Sequence, residues 1–430
     1  MGVIATEGQA QAITNCSGIS FVSNRCCTKS KAEELYCVVS GSYASNQLVQ
    51  LSDLSAPQII PLGSPLYITI YGPGAINFSK GPLEYSYDKS SWYSFPSGGL
   101  GIGGAGGSGT TVYFRGDMYP SNWSWPNYGI GRFTISGSAS IGGNVNSLIG
   151  YRSNLSSYSY YFYRLFYKCS TIGSCSSDLF NGINVFGPHC FEEMFLGCSN
   201  LPSGPNIPNN TMKEYCCRRM FLGCSALTSV VSMPSTLLAP GCYQEMYRGC
   251  SLTHVGQNAL PATTLYHHCY MQMFMGCTRL ITAPRLPATS LAWGCYGGMF
   301  EGCSSLTTAP DLKASTLVQD CYDRMFYGCN SLTYLKCLTT NIDSTRYGDS
   351  WWDSDRDMQK EHCLNKWTGE SNGYDTYGSG GYLPYQGTFV IHVNNSYFDP
   401  RNIYDEDDPW GDDNSNYNYY SGWSIQTSTS

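Results

Sequence analysis

Pairs of cysteines eight residues apart are the feature of this sequence best suited to chemistry. In "CYGGMFEGC" Cys295 is followed by Cys303, and the same spacing recurs in six consecutive units. The twelve cysteines of these pairs are Cys190, Cys198, Cys216, Cys224, Cys242, Cys250, Cys269, Cys277, Cys295, Cys303, Cys321 and Cys329. Cysteines at a fixed spacing can form disulfides, bind zinc, act as nucleophiles or pack as small apolar side chains.

The cysteine pairs mark an internal repeat. The first cysteines of the six units are 26, 26, 27, 26 and 26 residues apart, and a fixed period in this range is typical of stacked repeats. In each unit apolar residues recur every four positions, as Leu291, Cys295, Met299 and Cys303 do, which predicts an amphipathic helix that ends near Gly302. The following "SSLTTAP" predicts a short extended segment, so stacked coils would align these segments as a parallel ladder.

This helix prediction decides among the roles of the thiols. Residues eight apart on one helix are about 12 Å apart, beyond the roughly 7 Å limit for a disulfide, and packed helices are about 8–10 Å apart. Zinc is disfavoured because no C-x-x-C pair occurs and the six histidines do not recur with the repeat. A catalytic thiol is not expected in six copies. We therefore predict that the repeat cysteines are reduced, buried core residues.

The unit "CYxxMFxGCSSLTxAPxLPATTL" resembles the BspA-like leucine-rich repeats of bacterial surface proteins. It is also similar to a version found in predicted proteins of gut Bacteroidales and their phages. The resemblance extends from Tyr160 to Leu338, with one departure where Leu252 directly follows Ser251. It implies an α/β leucine-rich-repeat solenoid over residues 151–340 that serves adhesion or binding rather than catalysis.

Residues 56–150 have a different pattern. The segments "PLYITIYG", "LEYSYDKSSWYSF", "TTVYFRGD" and "GRFTISGSASI" alternate in polarity between glycine, serine and proline turns. They predict about seven strands in an antiparallel β-sandwich. The same combination resembles the small β-domain that often precedes such repeats.

Residues 1–55 contain too little apolar material for a core of their own, so we expect a partner to order them. Their "NRCCTK … NQLVQLSDL" text resembles leader segments of predicted structural proteins of gut phages related to the crAss-like group. The resemblance implies docking on other virion proteins. Cys16, Cys26, Cys27 and Cys37 could bind a metal, but without C-x-x-C pairs packed free thiols are favoured.

Residues 341–430 are predicted to cap the last repeat. "WWDSDRDMQKEHCLNKW" predicts a helix, whereas "YQGTFVIHV" and "YYSGWSIQT" predict strands. The loop from Asp405 to Asp413 has enough carboxylates for calcium but lacks the EF-hand spacing, so a solvated acidic loop is favoured. The fold prediction is therefore a multidomain chain, in which a β-sandwich is followed by an α/β leucine-rich-repeat solenoid with a C-terminal cap.

Candidate binding residues lie at the exposed edges of this predicted fold. Tryptophans, including Trp293 and Trp410, can stack on sugars, although filling of caps and coil corners is the favoured alternative. The predicted binding residues are Tyr334 on the strand side, Trp351 and Trp352 in the cap, and His267 and His268 in the irregular coil. The residues after each Cys-Tyr pair, such as Glu192-Glu193 and Gly297-Gly298, are predicted to face solvent on the helices.

Composition and motifs narrow the function. A net charge of −7 argues against a nucleic-acid partner, no apolar run is long enough to insert in a membrane, and the N-terminus lacks a secretory signal pattern. No catalytic motif is recognisable, so we expect neither an enzyme nor a cofactor or metal. The prediction is a structural virion protein, made in the bacterial host cytoplasm, that forms a homo-oligomer and adheres to a host surface protein or glycan. A bacterial BspA-type adhesin and a glycan-cleaving tail component are the alternatives.

Overall fold

A computed structural model describes residues 64–103, 108–120, 128–208, 211–339, 386–392 and 422–428, and four short strands before residue 56. The chain divides into two compact units, Met1–Gly63 and Ser64–Ser430. No helix among these residues is long and apolar enough to cross a membrane.

The first unit contains two antiparallel strand pairs. Strand β1 (Arg25–Thr28) pairs with β3 (Leu48–Gln50), and β2 (Val38–Val39) pairs with β4 (Leu54–Ser55). The predicted leader therefore contains strand structure in the described part of the unit.

The second unit begins with a mixed sheet of seven strands. These are β5 (Leu66–Phe78), β6 (Glu84–Ser86), β7 (Tyr93–Ser94), β8 (Leu100–Ile102), β9 (Thr110–Arg115), β10 (Phe133–Gly142) and β11 (Ile172–Cys175). Their order is β11-β10-β5-β9-β6-β7, and β8 also pairs with β5. Only β10 and β11 run parallel in this sheet.

The predicted β-sandwich is wrong, although each of its four strand-forming segments contains strand structure. The 13-residue β5 pairs with β10 along one edge and with β8 and β9 along the other, which gathers the strands into one sheet. One face is buried, with Leu66, Ile68 and Ile70 fully enclosed. This face packs on other structure, including a buried 3-10 helix (Val145–Leu148), instead of on a second sheet.

The predicted α/β solenoid is also wrong, because the described residues contain no α-helix. Where helices were expected, the chain forms seven segments of consecutive tight turns. These turn segments are residues 159–169, 188–198, 214–224, 240–250, 267–277, 293–303 and 319–329. They stack through backbone hydrogen bonds, and we call the stack the turn column.

Along each turn segment, backbone N–H groups donate alternately to a carbonyl of their own segment and to a carbonyl of the next segment. Met194 N–H donates to Phe191 C=O three residues earlier within its own segment, at 3.2 Å. The next donor, Phe195 N–H, instead bonds to Met220 C=O in the following segment, at 3.0 Å. Every second amide thus joins neighbouring segments, so these segments are about 5 Å apart, as hydrogen-bonded strands are, and not 8–10 Å apart.

A left-handed backbone conformation recurs every four residues. In each segment the second, sixth and tenth residues have φ between +50° and +75°, as His189, Glu193 and Gly197 do. Glycine, which adopts this conformation without steric cost, occupies the tenth position in six of the seven segments. Consecutive turns therefore repeat with a period of four, which also fits an α-helix, and for this reason the pattern of apolar residues predicts a helix that the structure does not contain.

The interior of the turn column consists of continuous rows of side chains. The aromatic rings at the eighth position stack with centroids 5.4–5.9 Å apart from Phe166 to Phe326. The column continues directly from the sheet, because Phe133 N–H on β10 bonds to Leu165 C=O at 2.7 Å and the Phe133 ring stacks on Phe166. Sheet and column share one apolar core.

The extended segments that follow the turns are joined by isolated parallel bridges, such as those of Thr282 with His254 and Thr308. Beyond the last turn segment, β12 (Tyr334–Cys337), β13 (Gln386–His392) and β14 (Gly422–Ser428) form a parallel sheet in that order. Strands were predicted at β13 and β14 and are confirmed. The helix predicted within residues 351–367 lies outside the described residues.

Candidate binding surface

The second residues of successive turn segments form a row of side chains along the column. At the second position, Tyr160 and His189 stack with ring centroids 4.3 Å apart, and His189 lies 5.1 Å from Tyr215. Tyr128, just before β10, extends this stack at 4.4 Å from Tyr160. The row then breaks at Gly241, where an added Cβ would lie 2.1 Å from the Tyr215 ring.

A second group of rings follows at His267, His268 and Trp293. The His268 and Trp293 ring centroids are 4.4 Å apart, with the planes inclined by 57°. His267 meets the same indole edge-on at 6.1 Å. Trp293 nevertheless keeps 43% of its surface exposed, so an indole fixed by two imidazoles remains open to a ligand.

The next segment fixes this tryptophan from the other side. Trp293 Nε1–H donates to Asp320 Oδ2 at 2.7 Å. Gly294 makes the close packing possible, because a Cβ there would lie 2.4 Å from Cδ2 of His268. Gly294 also has φ +58°, a conformation that glycine adopts without steric cost but that His268 and Asp320 share at the same position. It is therefore the space taken by the His268 ring that requires glycine here.

Three adjacent turn segments contribute to this surface, which we call the Trp293 edge and define as His267, His268, Trp293, Gln319 and Asp320. Backbone hydrogen bonds between the segments hold them in register: His268 N–H donates to Trp293 C=O and Gly294 N–H donates to Gln319 C=O, both at 3.0 Å.

Burial, and then the neighbouring His267, lower the pKa of His268 below its usual 6.5, whereas Asp320 raises it. A neutral His268 imidazole can both donate and accept hydrogen bonds.

The structure brings together only some of the predicted binding residues. His267 and His268 belong to the Trp293 edge, whereas Tyr334 lies on β12, in an extended segment, with 41% of its surface exposed. Trp351 and Trp352 lie outside the described residues. Gln319 and Asp320 were missed by sequence reasoning, yet the repeat register would have found them, since Gln319 follows Trp293 by 26 residues, as Trp293 follows His267.

The helix prediction places the residues at the fifth and sixth positions in solvent, but the glutamates at these positions are buried. Glu192, Glu193 and Glu245 are 2%, 5% and 2% exposed. At the sixth position arginine and glutamate alternate over the first four segments, with ion-pair distances of 2.6 Å (Arg164–Glu193), 3.7 Å (Glu193–Arg219) and 2.8 Å (Arg219–Glu245).

A parallel pair forms at the fifth position. Arg218 Nε donates to Glu192 Oε1 at 2.8 Å, and His189 contacts the other carboxylate oxygen of Glu192 at 2.5 Å. The positions of Gly297 and Gly298 are likewise buried. The prediction of solvent exposure is therefore wrong for these residues. The reason is that groups of the neighbouring segments cover them: ion-pair partners 26 to 29 residues away cover the glutamates, and the Gln272 side chain covers Gly298.

The thiols of the repeat lie in the interior. All twelve predicted cysteines are buried and none forms a disulfide. The second cysteine of each unit donates its S–H to a backbone carbonyl of the preceding segment, as Cys224 does to Phe195 and Cys303 to Phe274, at 3.1 and 3.2 Å. This hydrogen bond, which an alanine could not make, gives each of these cysteines a structural role.

Burial also makes the thiols of the repeat poor nucleophiles, at both the first and the second cysteine of a unit. Loss of solvation raises the pKa of Cys224 to about 12 and that of Cys295 to about 12. It also raises the pKa of Cys190 well above the usual value. Because the thiolate is the reactive and metal-binding form, these groups stay protonated at physiological pH.

No group of three or more metal-ligating side chains occurs among the residues the structure describes. The candidate ligands Cys16, Cys26, Cys27 and Cys37 have no described side chains, and the loop from Asp405 to Asp413 lies outside the described residues. These metal hypotheses stay untested predictions.

Comparison of this chain with known protein families, with curated proteins and with solved structures finds no match.

Proposed function

We propose that this chain is a structural, non-enzymatic protein of a virion that attaches to a host surface through the turn column. The observation that carries the attachment role is the Trp293 edge, where an indole ring stays 43% exposed although three segments fix its position. A rigid exposed aromatic buries area in a complex at little cost in conformational entropy.

The assignment to a virion rests on the sequence, since residues 1–55 resemble leader segments of phage structural proteins. In this proposal residues 1–55 dock on other virion proteins and the chain forms a homo-oligomer. The column supports the attachment role because its interior rows of rings and thiols repeat with little change, whereas its outer positions vary from segment to segment.

Two measurements test the proposal. Mass spectrometry of purified phage particles should find this chain as a stoichiometric component; its absence from the particles would remove the virion assignment. Fluorescently labelled full-length protein should bind cells of the bacterium on which the particles are propagated.

Variants then locate the attachment site. A protein with His267→Ala and His268→Ala should bind the cells less well, and Tyr93→Ala, which removes an exposed ring from β7, should bind normally. Loss of attachment in Tyr334→Ala alone would place the site on the extended segments instead of the Trp293 edge.

A further inference from the structure

We propose that the Trp293 edge binds a neutral saccharide; this inference rests on the proposed attachment function and names the chemical class of the ligand. It follows from an exposed aromatic ring with groups able to pair with hydroxyls in the segments on both sides of it.

The aromatic ring is that of Trp293. Its centroid lies 4.4 Å from that of His268 and 6.1 Å from that of His267, and 43% of the residue stays exposed. A pyranose ring offers a patch of C–H groups of comparable size, and such apolar patches pack well on flat aromatic rings. The indole N–H is already engaged by Asp320 at 2.7 Å, so the ring cannot turn freely.

The polar groups lie in the segments on either side of this ring. Asp320 uses Oδ2 for the indole, but an ionised carboxylate has about four acceptor sites, which leaves capacity for sugar hydroxyls. Gln319, whose backbone C=O accepts from Gly294 N–H in the neighbouring segment, carries an amide that both donates and accepts, and the imidazoles do the same when neutral. Hydroxyl groups are themselves donors and acceptors, so a saccharide can satisfy this mixture of groups.

Other ligand classes fit less well. An anionic ligand would meet the Asp320 carboxylate on a chain of net charge −7. A wholly apolar partner would cover Asp320 and the imidazoles without hydrogen bonds, and burying such groups unpaired is costly. A neutral saccharide avoids both costs.

The site is also held in place before any ligand arrives. Two backbone hydrogen bonds of 3.0 Å join the segment of Trp293 and Gly294 to its neighbours. His268 N–H of the preceding segment donates to Trp293 C=O, and Gly294 N–H donates to Gln319 C=O of the following segment. Gly294 leaves room for the His268 ring against the backbone. A ligand therefore pays little to order the protein, which favours binding by a small number of contacts.

The test is binding of the full-length protein to an array that holds neutral gluco-, galacto-, manno- and N-acetylhexosamine oligosaccharides together with acidic oligosaccharides, followed by calorimetry with the best ligand. Trp293→Ala should lower the affinity at least about tenfold, as loss of a central aromatic contact does. Trp293→Phe should retain part of the affinity. Asp320→Asn should lower the affinity with little effect on folding, because asparagine also tolerates the left-handed backbone at residue 320.

Tyr93→Ala is the matched control, since it removes an exposed ring from β7, the terminal strand of the sheet order, and should bind as the wild type does. Thermal unfolding of every variant separates lost binding from lost folding. The inference is overturned if the wild type binds no neutral oligosaccharide, if it binds only acidic ones, or if both Trp293 variants and Asp320→Asn bind unchanged.

Cell attachment distinguishes this failure from failure of the proposed function. Weaker attachment of Trp293→Ala without any saccharide binding by the wild type would leave the edge as the attachment site for another kind of partner. Unchanged attachment of a folded Trp293→Ala would remove the edge itself from the proposed function.

Discussion

The indole N–H of Trp293 donates a 2.7 Å hydrogen bond to Asp320, 27 residues further along the chain. The same step of about one repeat separates Arg218 from Glu192, Cys224 from Phe195 and the other partners that join the turn segments. Contacts between neighbouring segments thus hold the column together and also build its exposed edge.

The buried charges at the fifth position give the first prediction. Arg218→Met should destabilise the protein by roughly 3–5 kcal/mol, because it leaves the 2% exposed Glu192 carboxylate without its arginine. Urea unfolding followed by fluorescence measures the change. Replacing Glu192 by methionine as well should recover much of the loss, since no unpaired charge then stays buried.

Arg115→Met is the matched control for Arg218→Met. Both arginines pair with a glutamate and both lie over an aromatic ring, but the Arg115–Glu84 pair is 45% and 44% exposed. Its loss should cost about 1 kcal/mol or less. Similar losses in the two variants would contradict the burial of the Glu192 ion pair.

Ring stacking in the column interior gives a second prediction. Phe300 is fully buried and stacks on Phe274 and Phe326 at 5.7 and 5.9 Å. Phe300→Ala should therefore cost roughly 3–5 kcal/mol of unfolding free energy. Tyr93→Ala, at a 55% exposed ring, should cost much less. A small loss at Phe300 would mean that this row does not form the core.

The state of the thiols is a third prediction. We expect the twelve repeat cysteines to be reduced, because they are buried, donate S–H bonds or have raised pKa values. Thiol titration in denaturant, with and without reductant, counts them. The distance between segments does not by itself exclude disulfides, because hydrogen-bonded segments are about 5 Å apart, which is close enough for two cysteines to bond. Oxidation of most of these cysteines would defeat the prediction.

The pH response of His268 is a fourth prediction. Its folded-state pKa is lowered by burial and by His267, so the unfolded chain binds the proton more readily. The contribution of the neutral His268 to the free energy of unfolding should therefore be complete at a pH above about 6.5, the pKa of histidine in the unfolded chain. It should decrease as the pH falls below that value. His268→Phe keeps a ring against Trp293 and should lose less stability between pH 7.5 and 5. Equal losses in variant and wild type would contradict the lowered pKa.

Sequence periodicity located the repeats but not their conformation. The spacing of Cys295, Met299 and Cys303 correctly placed all three side chains in the interior. A period of four fits both an α-helix and consecutive turns with one left-handed residue in four, and the pattern of apolar residues does not distinguish them. The recurrent glycine at positions such as Gly302 was interpreted as a helix end, whereas it is one of three left-handed positions in each segment.

The candidate site was predictable only in part. The irregularity in the repeat predicts a binding role for His267 and His268, and both lie beside an exposed tryptophan. Asp320 was not found, because its role depends on the register between segments and not on any local motif. The burial of Glu193 was hidden for the same reason, as its partners Arg164 and Arg219 lie in the neighbouring segments.

Inhibition of phage adsorption by the purified protein tests the central claim most directly. Host cells are incubated with the wild-type protein, with Trp293→Ala or with Tyr93→Ala, and the rate at which particles then adsorb is measured. We predict that the wild type and Tyr93→Ala compete with the particles and slow adsorption, whereas Trp293→Ala does so only at much higher concentration. Adsorption unaffected by the wild-type protein, or slowed equally by Trp293→Ala, would contradict attachment through the Trp293 edge.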